Sequence, residues 1–231
     1  MQQLSIPARF NGPPTSGNGG YSAGSLAAFV DGCARVRLHR PPPLDTVLEV
    51  RGADSGVDLL DGDTLVASAR PDELNMQVPD APDLAAARAA SQRFPGFERH
   101  LYPTCFVCGP GRPAGDGLEL FAGPVGEGDL YACPWQPAPD LLDADGEVKE
   151  VFVWSALDCP SGFGAFGDHQ RPMLLGELTL EHYAPVPGGE ELVVYAWPMG
   201  SERRKFYGGA AVASATGAVL AAARATWIAV D

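Results

Sequence analysis

Two apolar segments decide the fold: residues 18–30 read NGGYSAGSLAAFV, and residues 150–160 read EVFVWSALDCP. Both segments space their apolar side chains as one face of a helix does. Strand-like segments follow each of them, interrupted by a turn at Asp61-Gly62 in the first case and at Thr216-Gly217 in the second. The chain therefore reads as one small fold written twice, with a helix and an antiparallel meander in each copy.

The first helix is expected to extend from Asn18 to Leu38, since the helical spacing of apolar residues continues from Leu26 to Ala34. The prolines at 41–43 would stop it, because proline lacks a backbone donor. Pro160 would end or kink the second helix. A basic cluster then falls at the C-terminal end of the first helix, where cations favour the helix dipole: Arg35, Arg37, His39 and Arg40.

Short strands are predicted in both halves of the chain. In the first half they cover residues 46–51, 57–60 and 64–70, and in the second half residues 174–182, 191–197, 204–214 and 219–230. Residues 174–182 alternate apolar and polar side chains, which predicts a sheet with one solvent-facing side.

The region between the halves is rich in Pro, Asp, Ala and Gly from residue 71 to residue 117. It contains one predicted helix at 83–94, capped by Asp83, and strand character resumes at 118–121 and 129–133. We therefore expect an N-terminal half at residues 1–80, a connector at 81–104 and a C-terminal half at 105–231.

Composition narrows the classes of function. The chain has 231 residues, of which 45% are apolar, so it can bury a proper core. Its net charge of −13 would repel a phosphate backbone, which argues against nucleic-acid binding. The apolar runs are too short to span a membrane, and the first residues lack the pattern of a signal peptide. A cytoplasmic location is the default expectation.

The five cysteines do not predict a disulfide framework, because their number is odd: Cys33, Cys105, Cys108, Cys133 and Cys159. Cys105-Phe-Val-Cys108 has the spacing of a metal-ligand pair, but tetrahedral zinc requires four ligands and no second pair follows. His100 and Cys133 would complete a site only by coincidence. Cys33 and Cys159 lie in apolar runs and are interpreted as small core residues. No metal site is predicted.

The repeated order of helix and meander resembles the hot-dog fold, and most closely its acyl-CoA thioesterase-like branch in tandem form. Two motifs carry the resemblance: Cys105-Phe-Val-Cys108-Gly109 followed by Gly117-Leu118, and the closing hairpin that ends at residues 217–228. The resemblance implies an α+β double hot-dog, with two antiparallel sheets each wrapped around a central helix, pseudo-dimeric in one chain. A homodimer of such units is a further expectation.

The resemblance also implies a composite active site between the halves. In this family a His-Gly-Gly commonly opens the central helix, and an acid further along it serves as base or nucleophile. Asn18-Gly19-Gly20 matches the opening with Asn in place of His, whereas Leu157-Asp158 matches the acid. We therefore expect Asp158 and Asn18 to face each other, with the Gly19 and Gly20 amides stabilising an oxyanion during acyl-CoA hydrolysis.

Substrate-binding residues follow from the same resemblance. Arg203, Arg204 and Lys205 fall where a coenzyme A phosphate or pantetheine path is implied, although a solvated strand end would look the same. Trp154 and Phe163 are candidates for the acyl pocket, although aromatic residues at such spacing are more often core. Coenzyme A enters only as part of the substrate, and no cofactor is expected.

Three alternatives stay open at this point. A non-catalytic acyl-CoA or lipid-binding protein of the same fold would show the same features. Residues 20–24 match the Gly-x-Ser-x-Gly motif of serine hydrolases around Ser22, but no buried strand precedes it. A hydratase would pair its Asp with a nearby His, and the chain offers only Asp168-His169 in a Gly-rich loop.

Overall fold

The computed structural model describes residues 2–167 and 172–230, in which eleven antiparallel strands form one sheet. The strands are β1 (Gln2–Leu4), β2 (Ala34–Leu38), β3 (Leu48–Ala53), β4 (Gly56–Asp61), β5 (Thr64–Pro71), β6 (Gly123–Pro124), β7 (Tyr131–Trp135), β8 (Met173–His182), β9 (Leu192–Glu202), β10 (Lys205–Ala213) and β11 (Val219–Ala229). The α-helices are α1 (Gly19–Ala27), α2 (Leu84–Ser91), α3 (Glu150–Ala156) and α4 (Asp158–Phe166). The α+β class is confirmed.

The sheet is continuous across both halves. Its order is β1-β3-β4-β5-β2-β8-β11-β10-β9-β7-β6, so strands of the first half and strands of the second meet at β2 and β8. These two strands pair from Ala34↔Leu180 to Arg37↔Glu177. The expected two sheets are therefore joined into one, because this pairing satisfies two strand edges that would otherwise stay open. The division of the chain at residues 80 and 105 stays a prediction.

The first helix is shorter than the sequence predicts. Helix α1 ends at Ala27, and the chain turns at Gly32, whose φ of +73° suits glycine. Residues 34–38 form strand β2, with Ala34 and Val36 buried and Arg35 and Arg37 exposed. The expected helix to Leu38 was wrong because apolar residues of a turn and a strand happened to continue the helical spacing. The basic cluster therefore begins on a strand, away from any helix end.

The second helix does not end at Pro160. It breaks at Leu157 and resumes as α4, which places Pro160 in the first turn of the new helix. A first-turn residue has no intrahelical acceptor for its N–H, so proline is tolerated there. Residues 118–121 are also not a strand; Glu119 has a φ of +54°, and the Leu118 and Leu120 amides donate to the Phe106 and Val107 carbonyls.

Other local predictions are confirmed. The other expected strands are present, although β9 extends to Glu202, whereas β1 and β6 are not predicted. Gly62 closes the β4–β5 hairpin with a φ of +58°. Asp83 caps helix α2, since its Oδ1 accepts from the Ala86 amide at 2.7 Å. On β8, Glu177 is partly exposed but Thr179 is buried, so the expected solvent-facing side is partly covered. No helix in the described ranges is long and apolar enough to cross a membrane.

The central helices of the two halves pack directly on each other. A Cβ added at Gly20 would meet Asp158 and Ser155, and one added at Gly24 would meet Trp154 and Val151. Helices α1 and α3 therefore run antiparallel, so that the start of α1 lies beside the end of α3 and the start of α4. This packing places the predicted site at the interface of the halves.

Candidate active site

Asn18 caps the start of helix α1 and orients its own amide group by doing so. Its Oδ1 accepts from the backbone N–H of Tyr21 at 2.9 Å, which leaves the Nδ2 group to point away from the helix. The first N–H groups of a helix have no intrahelical acceptor. Because the Asn18 side chain accepts only from the Tyr21 amide, the backbone N–H groups of Gly19 and Gly20 are available to groups outside the helix.

Asp158 opens helix α4 and faces Asn18, as predicted. Asn18 Nδ2 donates to Asp158 Oδ2 at 2.6 Å, and each residue is only 2% exposed. The Gly20 backbone N–H also faces this carboxylate and lowers its pKa. Oδ1 has no hydrogen-bond partner among the described residues. The structure thus joins the polar helix start of one half to the acid of the other.

Burial dominates the protonation of Asp158. The pKa of the carboxyl group rises from 3.8 to about 7. Burial is the largest cause of this rise, and the negative charge of Cys105 is the second. The contacts from Gly20, Asn18 and Cys159 oppose this rise. A carboxyl group with a pKa near neutrality can exchange protons with a reacting group at physiological pH.

The two glycines permit this close approach. A Cβ on Gly20 would lie 2.5 Å from the Trp154 carbonyl oxygen and 2.6 Å from Asp158 Cβ, and one on Gly19 would lie 2.8 Å from Leu175. A larger residue at position 20 would push α1 away from α3 and α4, whereas one at position 19 would displace the Leu175 side chain of β8. Gly20 is therefore required on steric grounds for the Asn18–Asp158 hydrogen bond.

A pocket of about 220 Å³ opens onto the pair. Its wall includes Asn18, Gly19, Asp158 and the predicted Phe163, together with the start of β8 and the end of β11. Basic residues also line it: His39, Arg40, Arg99 and His100. Arg40 and Arg99 are exposed, so a largely apolar pocket carries cationic groups where it meets solvent.

The structure places the other predicted substrate residues elsewhere. Arg203, Arg204 and Lys205 are exposed at the β9–β10 hairpin and do not line this pocket, although the Arg204 carbonyl accepts from Ala229, beside the end of β11. Trp154 is buried where α3 meets Gly24, and also lies outside the pocket lining. It belongs to the core between the helices.

Ser22 does not resemble an exposed nucleophile. It is fully buried, and its Oγ donates to the Asn18 carbonyl at 2.7 Å. The chain ahead of it forms a loop rather than a strand. The geometry therefore gives no support to a serine hydrolase. The other alternative, through Asp168-His169, lies outside the described residues.

The structure brings three cysteines together beside Asp158, a grouping that the sequence does not predict. Cys105, Cys108 and Cys159 are buried, and their sulfur atoms all lie within 4.8 Å of one another. Cys159 comes from α4, whereas the other two come from the segment that follows the connector. The Cys-x-x-Cys spacing was visible in the sequence, but nothing local indicated that a cysteine of a distant helix would join it.

Comparison of the sequence with protein-family models and with curated proteins finds no match. Solved structures are similar over the whole chain. The TesB protein of Mycobacterium avium subsp. paratuberculosis has 13% identity and a TM-score of 0.62, covering 100% of this chain and 91% of its own. Acyl-CoA thioesterase II TesB2 of Mycobacterium marinum has 14% identity and a TM-score of 0.60, with coverage of 99% and 92%.

A third similar structure is described only by its fold. It is a conserved protein of unknown function with a hot dog fold from Alicyclobacillus acidocaldarius, with 15% identity, a TM-score of 0.56 and coverage of 99% and 92%. At these identities the comparisons establish the fold and no more. The chain is a double hot-dog, as the resemblance implied.

Proposed function

We propose that the protein hydrolyses the thioester bond of an acyl-CoA in the pocket between its two halves. The observation that carries this proposal is the buried Asn18–Asp158 pair at the pocket wall, with the pKa of the carboxyl group raised to about 7. A general base works best when its pKa lies near the working pH. The solved structures of thioesterases with this fold support the same reaction class.

The reaction would proceed through water. Asn18 holds Oδ2 of Asp158, so Oδ1, which is buried without a hydrogen-bond partner among the described residues, is the atom left to accept a proton from a water that enters from the pocket. Water attacks the thioester carbonyl carbon as Asp158 takes its proton, and the C–S bond then breaks. The departing thiolate receives the proton back from Asp158, leaving a carboxylic acid and free coenzyme A. Each proton and electron pair is thus accounted for without a covalent enzyme intermediate.

Backbone amides would stabilise the negative charge on the carbonyl oxygen. Gly19 lines the pocket at the start of α1, where the positive end of the helix dipole also acts. The loss of one such donor typically slows a reaction by about 10²–10³-fold. The Gly20 amide faces Asp158 in this structure, so the Gly19 amide is the stronger candidate for the carbonyl oxygen.

The lining of the pocket suits the two ends of an acyl-CoA. Phe163, Leu175 and Trp227 offer apolar surface for an acyl chain. Arg40 and Arg99 provide exposed guanidinium groups for the phosphates of coenzyme A. Arg40 belongs to the basic cluster noted in the sequence, whereas Arg99 is not predicted, and the resemblance placed the coenzyme A path at residues 203–205 instead.

The test is release of free thiol from a panel of acyl-CoAs of increasing chain length. Wild type should turn over at least one of them, and Asp158→Asn should lower kcat by about 10²–10⁴-fold, the usual contribution of a general base. Asp54→Asn, at an exposed turn, is the matched control and should leave kcat unchanged. Tight binding without thiol release by wild type would refute hydrolysis and identify a binding protein.

A further inference from the structure

The three thiols beside Asp158 have the geometry of a metal-ligand set. The sulfur atoms of Cys105 and Cys159 are 3.6 Å apart, and Cys108 completes a triangle with no side above 4.8 Å. Zinc bound tetrahedrally at Zn–S distances of about 2.3 Å requires sulfur atoms about 3.8 Å apart. Only small side-chain movements would therefore bring all three onto one ion.

His100 is positioned to support such a site from outside. Its Nδ1 accepts from the backbone N–H of Tyr102 at 3.0 Å, so Nδ1 carries no proton. The proton of the neutral ring is then on Nε2, which lies 3.3 Å from Cys108 Sγ and donates to it. Binding a metal through Nε2 would require the proton to move to Nδ1, against the Tyr102 amide. His100 is thus a hydrogen-bond donor to a ligand.

The other two sulfur atoms share a donor as well. Asn18 Nδ2 lies 3.9 Å from Cys105 Sγ and 4.0 Å from Cys159 Sγ. Bound thiolates in metal sites accept such N–H contacts, which orient them and disperse their charge. The cluster therefore has three thiols and the donors that would support them as ligands.

We propose that Cys105, Cys108 and Cys159 bind one zinc ion in the wall of the pocket. Because His100 donates to a sulfur atom, the fourth coordination position is left to solvent or to a ligand from the pocket, which the three cysteines line. The ion would tie the segment after the connector to helix α4. Its positive charge would also offset the crowding of thiolates against the Asp158 carboxylate, whose Oδ2 lies 3.8 Å from Cys159 Sγ.

This inference deepens the proposed function, since the ion would sit at the same pocket, but its test does not depend on turnover. Protein purified without chelators should contain about one zinc ion per chain by elemental mass spectrometry. After the zinc is removed, Co²⁺ alone should restore a thiolate-to-cobalt charge-transfer band and the visible bands of a tetrahedral site. An added small thiol should shift those visible bands, because the fourth position is exchangeable.

Variants locate the site. Substitution of Cys105, Cys108 or Cys159 by Ala should lower zinc content at least tenfold, whereas Cys133→Ala should retain it, since Cys133 is equally buried but outside the cluster. His100→Ala should weaken zinc affinity by about 10–100-fold, the usual effect of a supporting donor, and leave the cobalt spectrum unchanged. If a thiol variant does not fold, the intensity of the wild-type charge-transfer band still counts the bound thiolates.

Three results would overturn the proposal: wild type that binds neither zinc nor cobalt, equal metal loss in the Cys133 variant, or a Cys105–Cys159 disulfide in protein purified without oxygen. If His100→Ala alters the cobalt spectrum, His100 is a ligand and the fourth position is not open. If added thiol leaves the spectrum unchanged, the fourth position is not exchangeable. A protein that hydrolyses acyl-CoA but binds neither zinc nor cobalt would remove this inference alone. A zinc-loaded protein without hydrolysis would remove the proposed function alone.

Discussion

Replacing Asp158 by Asn should make the protein more stable at neutral and alkaline pH, while it removes the proposed base. The folded state raises the pKa of this carboxyl group from 3.8 to about 7, chiefly through burial. A raised carboxyl pKa means that folding opposes ionisation. Below about pH 4 the group is protonated in both states and has no effect. Between pH 4 and 7 it ionises only in the unfolded chain, so the native state progressively loses stability.

The magnitude follows from the same displacement of the pKa. At about 1.4 kcal/mol for each pH unit, the full effect above pH 7 is about 4 kcal/mol against the folded state. Asparagine keeps an acceptor for Asn18 but places an amide NH2 group where the buried Oδ1 stands without a partner among the described residues, and this unsatisfied donor offsets about 1 kcal/mol. The net gain of about 3 kcal/mol corresponds to a rise of about 6–12 °C in Tm for a domain of this size.

Thermal unfolding measured by circular dichroism at pH 8 and pH 4 tests this reasoning. Asp158→Asn should unfold about 6–12 °C above wild type at pH 8, and the difference should shrink to a few degrees or less at pH 4. Asp54→Asn, on an exposed turn, should change Tm by no more than about 2 °C at either pH. Equal or lower stability of Asp158→Asn at pH 8 would show that the carboxylate is well solvated or paired, and the argument from burial would fail.

Three further results are expected. If ionised Asp158 is the base, log kcat/KM should rise with slope one below about pH 7 and level off above it. A pH profile that is flat through pH 7 would exclude that role. Gly20→Ala should destabilise the protein by about 1–3 kcal/mol in chemical denaturation, since its Cβ would lie 2.5 Å from a backbone oxygen of α3; Gly52→Ala, in open space, should change little. Arg99→Ala should raise KM for acyl-CoA up to about fivefold, but should leave KM unchanged for a short thioester lacking phosphates. An equal effect of Arg203→Ala would show that the phosphates bind at the β9–β10 hairpin instead.

The sequence predicted the pairing of Asn18 with Asp158 better than it predicted the helices that carry them. The pairing follows from the resemblance to tandem hot-dog proteins, which implies a composite site between the two halves. The helix bounds depend on local competition: Gly32 allows a left-handed turn, and the residues after it are better satisfied as a strand beside β8. Periodicity alone cannot measure that tertiary gain.

The cysteine group shows a different limit of sequence reasoning. Cys105 and Cys108 were recognised as a pair, but Cys159 was interpreted as core because its neighbours in the sequence are apolar. Its role depends on the break at Leu157, which redirects α4 so that Cys159 meets the segment after the connector. When ligands come from two distant segments, the spacing within one segment reveals only part of the set.

The duplication also explains why the described residues contain one pair of this kind and not two. Asn18 caps α1, and the equivalent position that precedes α3 is Lys149, whose side chain forms no capping hydrogen bond. Asp158 follows Lys149 by the same number of residues as Ala27 follows Asn18, so Ala27 is the equivalent of Asp158 in the first half. The antiparallel packing of α1 on α3 therefore brings Asn18 to Asp158 at one end, while the corresponding residues at the other end are a lysine and an alanine. An alanine can accept no proton and a lysine can cap no amide, so the second position lacks both of the groups that hydrolysis of a thioester would require.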